Sequence, residues 1–474
     1  MPTPVRTAVS LAVLFVLAGC SAPAAGPSAG ADWQFPDDPP EDRLGWEQGV
    51  WYNESIDVNA SDGFDERERD LLVARTMARV ERIRGLEFRE PVPVEVISRA
   101  EFRSRSVFGG ERSPEYERWH DLVWEAALIV GEDRAASDEF DALYGGAVRG
   151  YYTPSGDQIV IVSDSETPTI DRATLAHELV HALQDQHFGF VGSTTRDTGL
   201  AHNGLTEGDA RYVEQLYLER CVAGTGGIAN STGHEGAAGW DCVPSPSRSG
   251  GGGGTPVNQG LFAYVYQPYA DGPAFVHSLY ERDGWDAVNA AYESRPRSTE
   301  QTIHPERYPD EPVASVSVDD RASGDWQRFD LPRESERLGE TGLFAMFWYN
   351  DYVGGYRSSD GPYSAFNYSA PPSDGWAGDR LVPYRSGDGD DAKYGYVWAV
   401  EFDTAADARE FARAYRTMLQ LRLGASTVDV RAGVYRISDG PFADAFRIER
   451  VGNRVVITNA PTVEQLDAVR APPR

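Results

Sequence analysis

The stretch Asp171–Gly189, DRATLAHELVHALQDQHFG, constrains this chain more than any other. Leu175, Leu179, Ala182 and Leu183 recur at helical spacing and make an apolar stripe for a core. His177 and His181 stand four residues apart, so on a helix they project together from a separate face. Two neutral imidazoles at that spacing can hold one Zn²⁺, and Glu178, beside the first, can reach a water on the ion. The same residues also fit a plainer reading, two helix histidines in polar packing. A third ligand elsewhere in the chain separates the two.

The surroundings place this helix in a mixed α and β region. Residues 146–164, GAVRGYYTPSGDQIVIVSD, read as two strands about a Pro-Ser-Gly-Asp turn that lead into it. Further upstream, DERERDLLVARTMARVERIRGL has helical periodicity, PVPVEVIS alternates as a strand, and HDLVWEAALIVGED is another helix candidate. PSPSRSGGGGGTPVN, 244–258, is a low-complexity break that reads as part of a surface insertion over 222–258. PYADGPAFVHSLYERDGWDAVNAAYESRP then resumes helical spacing as a helix pair. Past residue 326 the chain turns to aromatic strands and a helix, TAADAREFARAYRTMLQLRL, a small α+β region.

The first twenty residues are a targeting segment. One arginine is followed by a short apolar run ending in Leu17-Ala18-Gly19-Cys20, which resembles a lipobox, so Cys20 is the expected lipidation site of an exported lipoprotein. No twin arginine is present, which favours export in an unfolded state. Residues 21–62, rich in Ala, Pro, Gly, Ser and Asp, read as a disordered tether. The protein is therefore expected on the extracellular face of the membrane, with that lipid anchor as its membrane contact. Export into an oxidising compartment leaves Cys221 and Cys242 as a disulfide candidate, with two free thiols as the alternative. Lys plus Arg number 44 against 74 Asp plus Glu, a formal charge of −30, and Lys393 is the one lysine. Such a field repels phosphates and excludes nucleic acid as a partner. The acidic, lysine-poor composition suits a salt-loving organism, a halophilic archaeon being the expected source.

For the third ligand, His187 stands where HExxHxxGxxH places one, but Gln184 occupies the position where the turn needs glycine, so His187 is set aside. The other candidate lies in NGLTEGDARYVEQLYLER, where Thr206 reads as an N-cap and Glu207 opens a helix. Thr206-Glu207-Gly208-Asp209-Ala210-Arg211-Tyr212-Val213-Glu214 resembles the second helix of the gluzincin metallopeptidases, above all their aminopeptidase branch, departing at the leading asparagine. Tyr269-Ala270-Asp271-Gly272 resembles the later Tyr-x-x-Gly of the same enzymes, with an aromatic packing cluster as the alternative for these tyrosines. The resemblance spans roughly residues 145–305. Two departures go with it. No glutamate lies on the strand upstream of the helix, where the aminopeptidases grip a free amine, so endopeptidase action is equally expected. Arg211 replaces an aspartate that orients a ligand histidine, leaving Asp185 and Asp209 as the nearest orienting candidates.

The resemblance implies an α+β, zincin-like metallopeptidase domain over 63–325, a mixed sheet with the HExxH helix and a helical lower half, followed by a smaller α+β region over 326–474. It implies Zn²⁺ held by His177, His181 and Glu207, Glu178 as general base, Tyr269 as oxyanion donor, and a peptide or protein as substrate. His304, in PRSTEQTIHPERY, is a candidate second proton donor or wall residue. The rival reading is a surface lipoprotein that keeps the fold as a catalytically inactive binding or structural protein.

Overall fold

The computed structural model describes residues 38–59, 63–105, 112–163, 170–223, 239–244, 257–354, 363–364, 366–429 and 432–472. The leader, Cys20, residues 21–37 and 60–62 of the expected tether and most of the 222–258 insertion lie outside these residues. Residues 38–59 correct the expectation of a disordered tether over 21–62, because Glu47 and Val50 are buried there and the Gly45 amide donates to Glu81.

A two-residue ribbon, β1 (Trp46–Glu47) and β2 (Val50–Trp51), precedes helix α1 (Glu66–Arg84). Asp65 and Glu68 start α1 with a reciprocal capping box, and Gly85, at φ 73°, ends it in the left-handed region that glycine tolerates. Strand β3 (Val94–Ser98) and helices α2 (Arg99–Ser104), α3 (Pro114–Ala126) and α4 (Ala136–Ala147) follow. Strands β4 (Gly150–Thr153) and β5 (Gln158–Ser163) are the expected pair about the turn at 154–157. They form a three-stranded sheet in the order β3-β5-β4, with β3 parallel and β4 antiparallel to β5, so β4 is an edge.

Helix α5 (Arg172–Phe188) carries the histidines and is capped by Asp171, whose side chain accepts from the Ala173 and Thr174 amides. Helices α6 (Arg196–Ala223), α7 (Gln259–Ala270), α8 (Gly272–Glu293) and α9 (Thr299–Ile303) complete this part. Helix α8 spans the expected helix pair and kinks at Asp283 and Gly284, whose dihedrals are non-helical. Helix α6 corrects the sequence expectation at its start. It begins ten residues before Thr206, whose hydroxyl bonds the His202 carbonyl within the helix instead of capping it. Leu175, Leu179, Leu205, Val213, Phe275 and Ile161 share one core, so α5 is wedged between the small sheet and the α6–α8 layer.

The C-terminal part holds β6 (Trp326–Arg328), α10 (Gly339–Tyr349), β7 (Trp376–Ser386), β8 (Lys393–Phe402), α11 (Ala405–Leu421), β9 (Ser426–Asp429), β10 (Val434–Arg436), β11 (Ala445–Val451), β12 (Arg454–Ala460) and α12 (Leu466–Val469). Its strands form an antiparallel seven-stranded sheet in the order β6-β7-β8-β12-β11-β10-β9. The architecture is α+β. A second core runs from Trp119, Trp124 and Tyr264 through Phe344 to Trp376, Trp398 and Phe411. The boundary that composition places at 325/326 therefore crosses a continuous apolar core.

Cys221 and Cys242 form a disulfide with Cα atoms 5.6 Å apart. It holds the chain beside Trp240, which packs edge-on to Tyr217 and under the buried Arg79 guanidinium. Among the described residues no helix is long and apolar enough to cross a membrane.

Candidate metal centre

Helices α5 and α6 bring the three predicted ligands together. His177 Nε2 lies 3.2 Å from Glu207 Oε2, His181 Nε2 lies 3.3 Å from the same oxygen, and the two Nε2 atoms are 3.2 Å apart. Three donors with these separations describe one face of a tetrahedron whose bonds to a central ion would be about 2.0 Å, the length zinc makes with imidazole and carboxylate. The donor set thus fits a zinc ion with a fourth position left over.

The outer ring nitrogens explain why both Nε2 atoms face inward. His177 Nδ1 sits 3.3 Å from Glu214 Oε2, and Glu214 is itself held by Arg211 at 2.5 Å. His181 Nδ1 lies 3.0 Å from Gln184 Oε1, while Gln184 Nε2 donates to the Thr206 carbonyl at 3.0 Å and to Asp209 Oδ2 at 3.3 Å. With its amide nitrogen so engaged, Gln184 presents oxygen to His181, so Nδ1 carries the proton and Nε2 keeps its lone pair. Asp209 is fully buried, receives Arg84 Nε at 2.9 Å and accepts the Tyr292 hydroxyl at 2.8 Å. Asp209 therefore supports His181 at one remove, through Gln184.

Asp185, the other orienting candidate, is corrected. It accepts the Tyr152 hydroxyl at 3.0 Å, because position 185 turns toward β4 while both outer imidazole nitrogens are already occupied. His187 faces away, as the unbroken helix dictates, with Nε2 2.8 Å from the Glu87 carbonyl. Glu214 and Gln184 were missed as orienting residues. Their signals were present: Glu214 is seven residues, two helical turns, from Glu207, and Gln184 is three from His181.

Close approach of three glycines positions the tyrosine. A Cβ on Gly208 would stand 2.4 Å from the Gly272 carbonyl oxygen, and one on Gly272 would stand 2.5 Å from that of Gly204. Helices α6 and α8 thus touch backbone to backbone. Gly272 opens α8, and Tyr269, at the end of α7, is brought beside Glu207. Tyr264 instead packs edge-on to Trp124 in the core.

Glu178 is buried at 6 % exposure, beneath the first residue of β4. A Cβ on Gly150 would lie 3.2 Å from Glu178 Cγ and Oε1, so the glycine leaves the carboxylate room at the sheet edge. Burial raises the Glu178 pKa, with the two imidazoles pulling the other way. Burial also works against ionisation of Glu207, but His181 and His177 outweigh it and hold its carboxyl well below the usual range. Burial alone would lower His177; its bonds to Glu207 and Glu214 raise it instead, to about 10. Three carboxylates, Glu178 and Glu214 buried and Glu207 partly so, around two imidazoles make the pocket selective for positive charge. Burial and the adjacent Glu207 keep the Tyr269 phenol protonated, well above its ordinary pKa.

His304 is placed elsewhere. Its Nε2 lies 3.1 Å from Glu340 Oε1, in a group with Asp374. His277 Nδ1 pairs with the Tyr212 hydroxyl at 3.1 Å.

Residues 327–470 match the family model described as Domain of unknown function (DUF8575), which covers the C-terminal sheet and not the histidine helix. No curated protein and no solved structure matches the chain.

Proposed function

We propose that the protein is a zinc-dependent metallopeptidase of zincin-like fold, tethered by a lipid at Cys20 to the outer face of the membrane and acting on peptide or protein substrates. The observation that carries this reading is the triangle of His177 Nε2, His181 Nε2 and Glu207 Oε2, with sides of 3.2–3.3 Å. Zinc held there would polarise a scissile carbonyl and acidify a water.

The chain's own groups supply the remainder. Glu178, its affinity for protons raised by burial, takes the proton of the attacking water and returns it to the leaving amine. The protonated Tyr269 hydroxyl donates to the oxygen that gains charge at the tetrahedral stage. Edge strand β4 offers unpaired backbone groups to an extended substrate, and Gly150 lets that substrate approach Glu178. β4 reads Gly-Tyr-Tyr-Thr and carries no carboxylate to bind a free amine, which supports cleavage within chains.

Two variants test the reading. Glu178→Gln should keep its zinc and lose about 10²–10⁴-fold in peptide cleavage. Glu207→Ala should lose both the zinc at this triangle and activity. Full cleavage by Glu178→Gln, or zinc retained at wild-type stoichiometry at this triangle in Glu207→Ala, would sink it.

A further inference from the structure

A second group of ligands lies where the two halves of the molecule meet. His304 caps the C-terminal end of α9, Glu340 lies in the first turn of α10, and Asp374 lies in the turn before β7. One donor atom from each comes within 4.8 Å of the others. Glu340 is fully buried: Oε1 meets His304 Nε2 at 3.1 Å, while among the described residues Oε2 has no hydrogen-bond partner. Asp374 Oδ1 accepts the Ser369 hydroxyl, and among the described residues no arginine or lysine forms an ion pair with Glu340 or Asp374. Asp271, itself buried at the α7–α8 junction, is close enough to feel the charges of both Glu340 and His304.

A neighbouring acidic group shows what ordinary compensation looks like. Glu300, Glu311 and Asp403 surround Arg307 Nη1 at 2.7, 2.9 and 3.0 Å, so a guanidinium already occupies their centre. Beside it, the His304 group has one imidazole against two carboxylates and an orphaned, desolvated oxygen. An unpaired buried carboxylate oxygen is destabilising, and a cation between the three side chains removes that cost.

We propose that His304, Glu340 and Asp374 bind a second divalent transition ion, which ties α9 to the C-terminal region independently of the His177–His181–Glu207 site. One imidazole with two carboxylates is a donor set for zinc or manganese rather than for calcium or magnesium, which favour all-oxygen sites. His304 Nε2 and Glu340 Oε1 already stand 3.1 Å apart and the Asp374 donor lies within 4.8 Å of them, so small rotamer adjustments suffice to close these side chains on an ion.

The test is zinc stoichiometry of the full chain after loading with Zn²⁺ and desalting, read by mass spectrometry of the metal. The wild type should hold two ions per chain, Asp374→Asn one, Glu207→Ala one, and the double variant none. In the Glu207→Ala background, added Zn²⁺ should raise Tm, and Asp374→Asn should abolish the rise. A single ion in the wild type that disappears in Glu207→Ala overturns the second site and leaves the hydrolase reading standing. A single ion that survives Glu207→Ala and disappears in Asp374→Asn supports the second site and overturns the first.

Discussion

The two histidine groups differ in what holds them. His177, His181 and Glu207 stand on two long helices, and each imidazole is gripped from behind, by Glu214 or by Gln184 with Asp209 and Arg84. Its donor atoms are already at ligand spacing. His304, Glu340 and Asp374 come from a helix cap, a first turn and a loop, three short segments in place of two long helices. A centre for catalysis needs its ligands fixed before substrate arrives, whereas one that joins segments can close as it fills. The difference teaches that preorganisation resides in the groups behind the ligands as much as in the ligands.

Removing those supports should expose the contrast. Asp209→Ala leaves Arg84 buried and unpaired, so chemical denaturation should show a loss of about 3–5 kcal/mol, with zinc affinity at the first site falling about 10–100-fold. Asp374→Asn, on a partly exposed side chain with one hydroxyl partner, should cost about 1 kcal/mol in the metal-free protein. Comparable losses in the two variants would erase the distinction. Tyr269→Phe removes a donor without touching the ligands, so cleavage should slow about 10²–10³-fold at unchanged zinc content. Gly208→Ala forces α6 from α8, and should cost about 1–3 kcal/mol while slowing cleavage through Tyr269. A variant with normal rate and stability would show that the helix contact does not position the tyrosine.

The smallest effect is a pH control away from both groups. Burial and the nearby Glu81 raise Glu47 to about 9, so it is protonated when folded at neutral pH. A raised acid stabilises the fold fully below the unfolded carboxyl range, near 4.3, and that contribution fades as pH rises through about 9. Tm should therefore fall between pH 5 and pH 9, and less so in Glu47→Gln. Parallel curves for the two proteins would assign the pH dependence to other groups.

Much of the first site was legible because its information is local. Helical spacing pairs His177 with His181, and Glu207 and Tyr269 sit in short patterns whose order along the chain is preserved in space. Pairing of Cys221 with Cys242 needed only the count of cysteines left after Cys20. The Thr206 cap misled because Thr-Glu imitates a helix start, while the true helix begins in a stretch, Arg196–Leu205, without strong periodicity. The 325/326 boundary misled because a change in composition marks a change in element type, and cores such as that of Trp124, Tyr264 and Trp398 ignore it.

By itself, then, the sequence determined which side chains are available at helical spacing, the α+β character, and the excess of negative charge. Only the tertiary structure decided that Glu207 meets both imidazoles, that Gln184 and Glu214 orient them, and that His304 finds Glu340 and Asp374. Periodicity acts over a few residues, whereas these meetings depend on how helices cross. That crossing is set by the contact of Gly204, Gly208 and Gly272 and by the burial of Asp209 with Arg84, neither of which has a local signature.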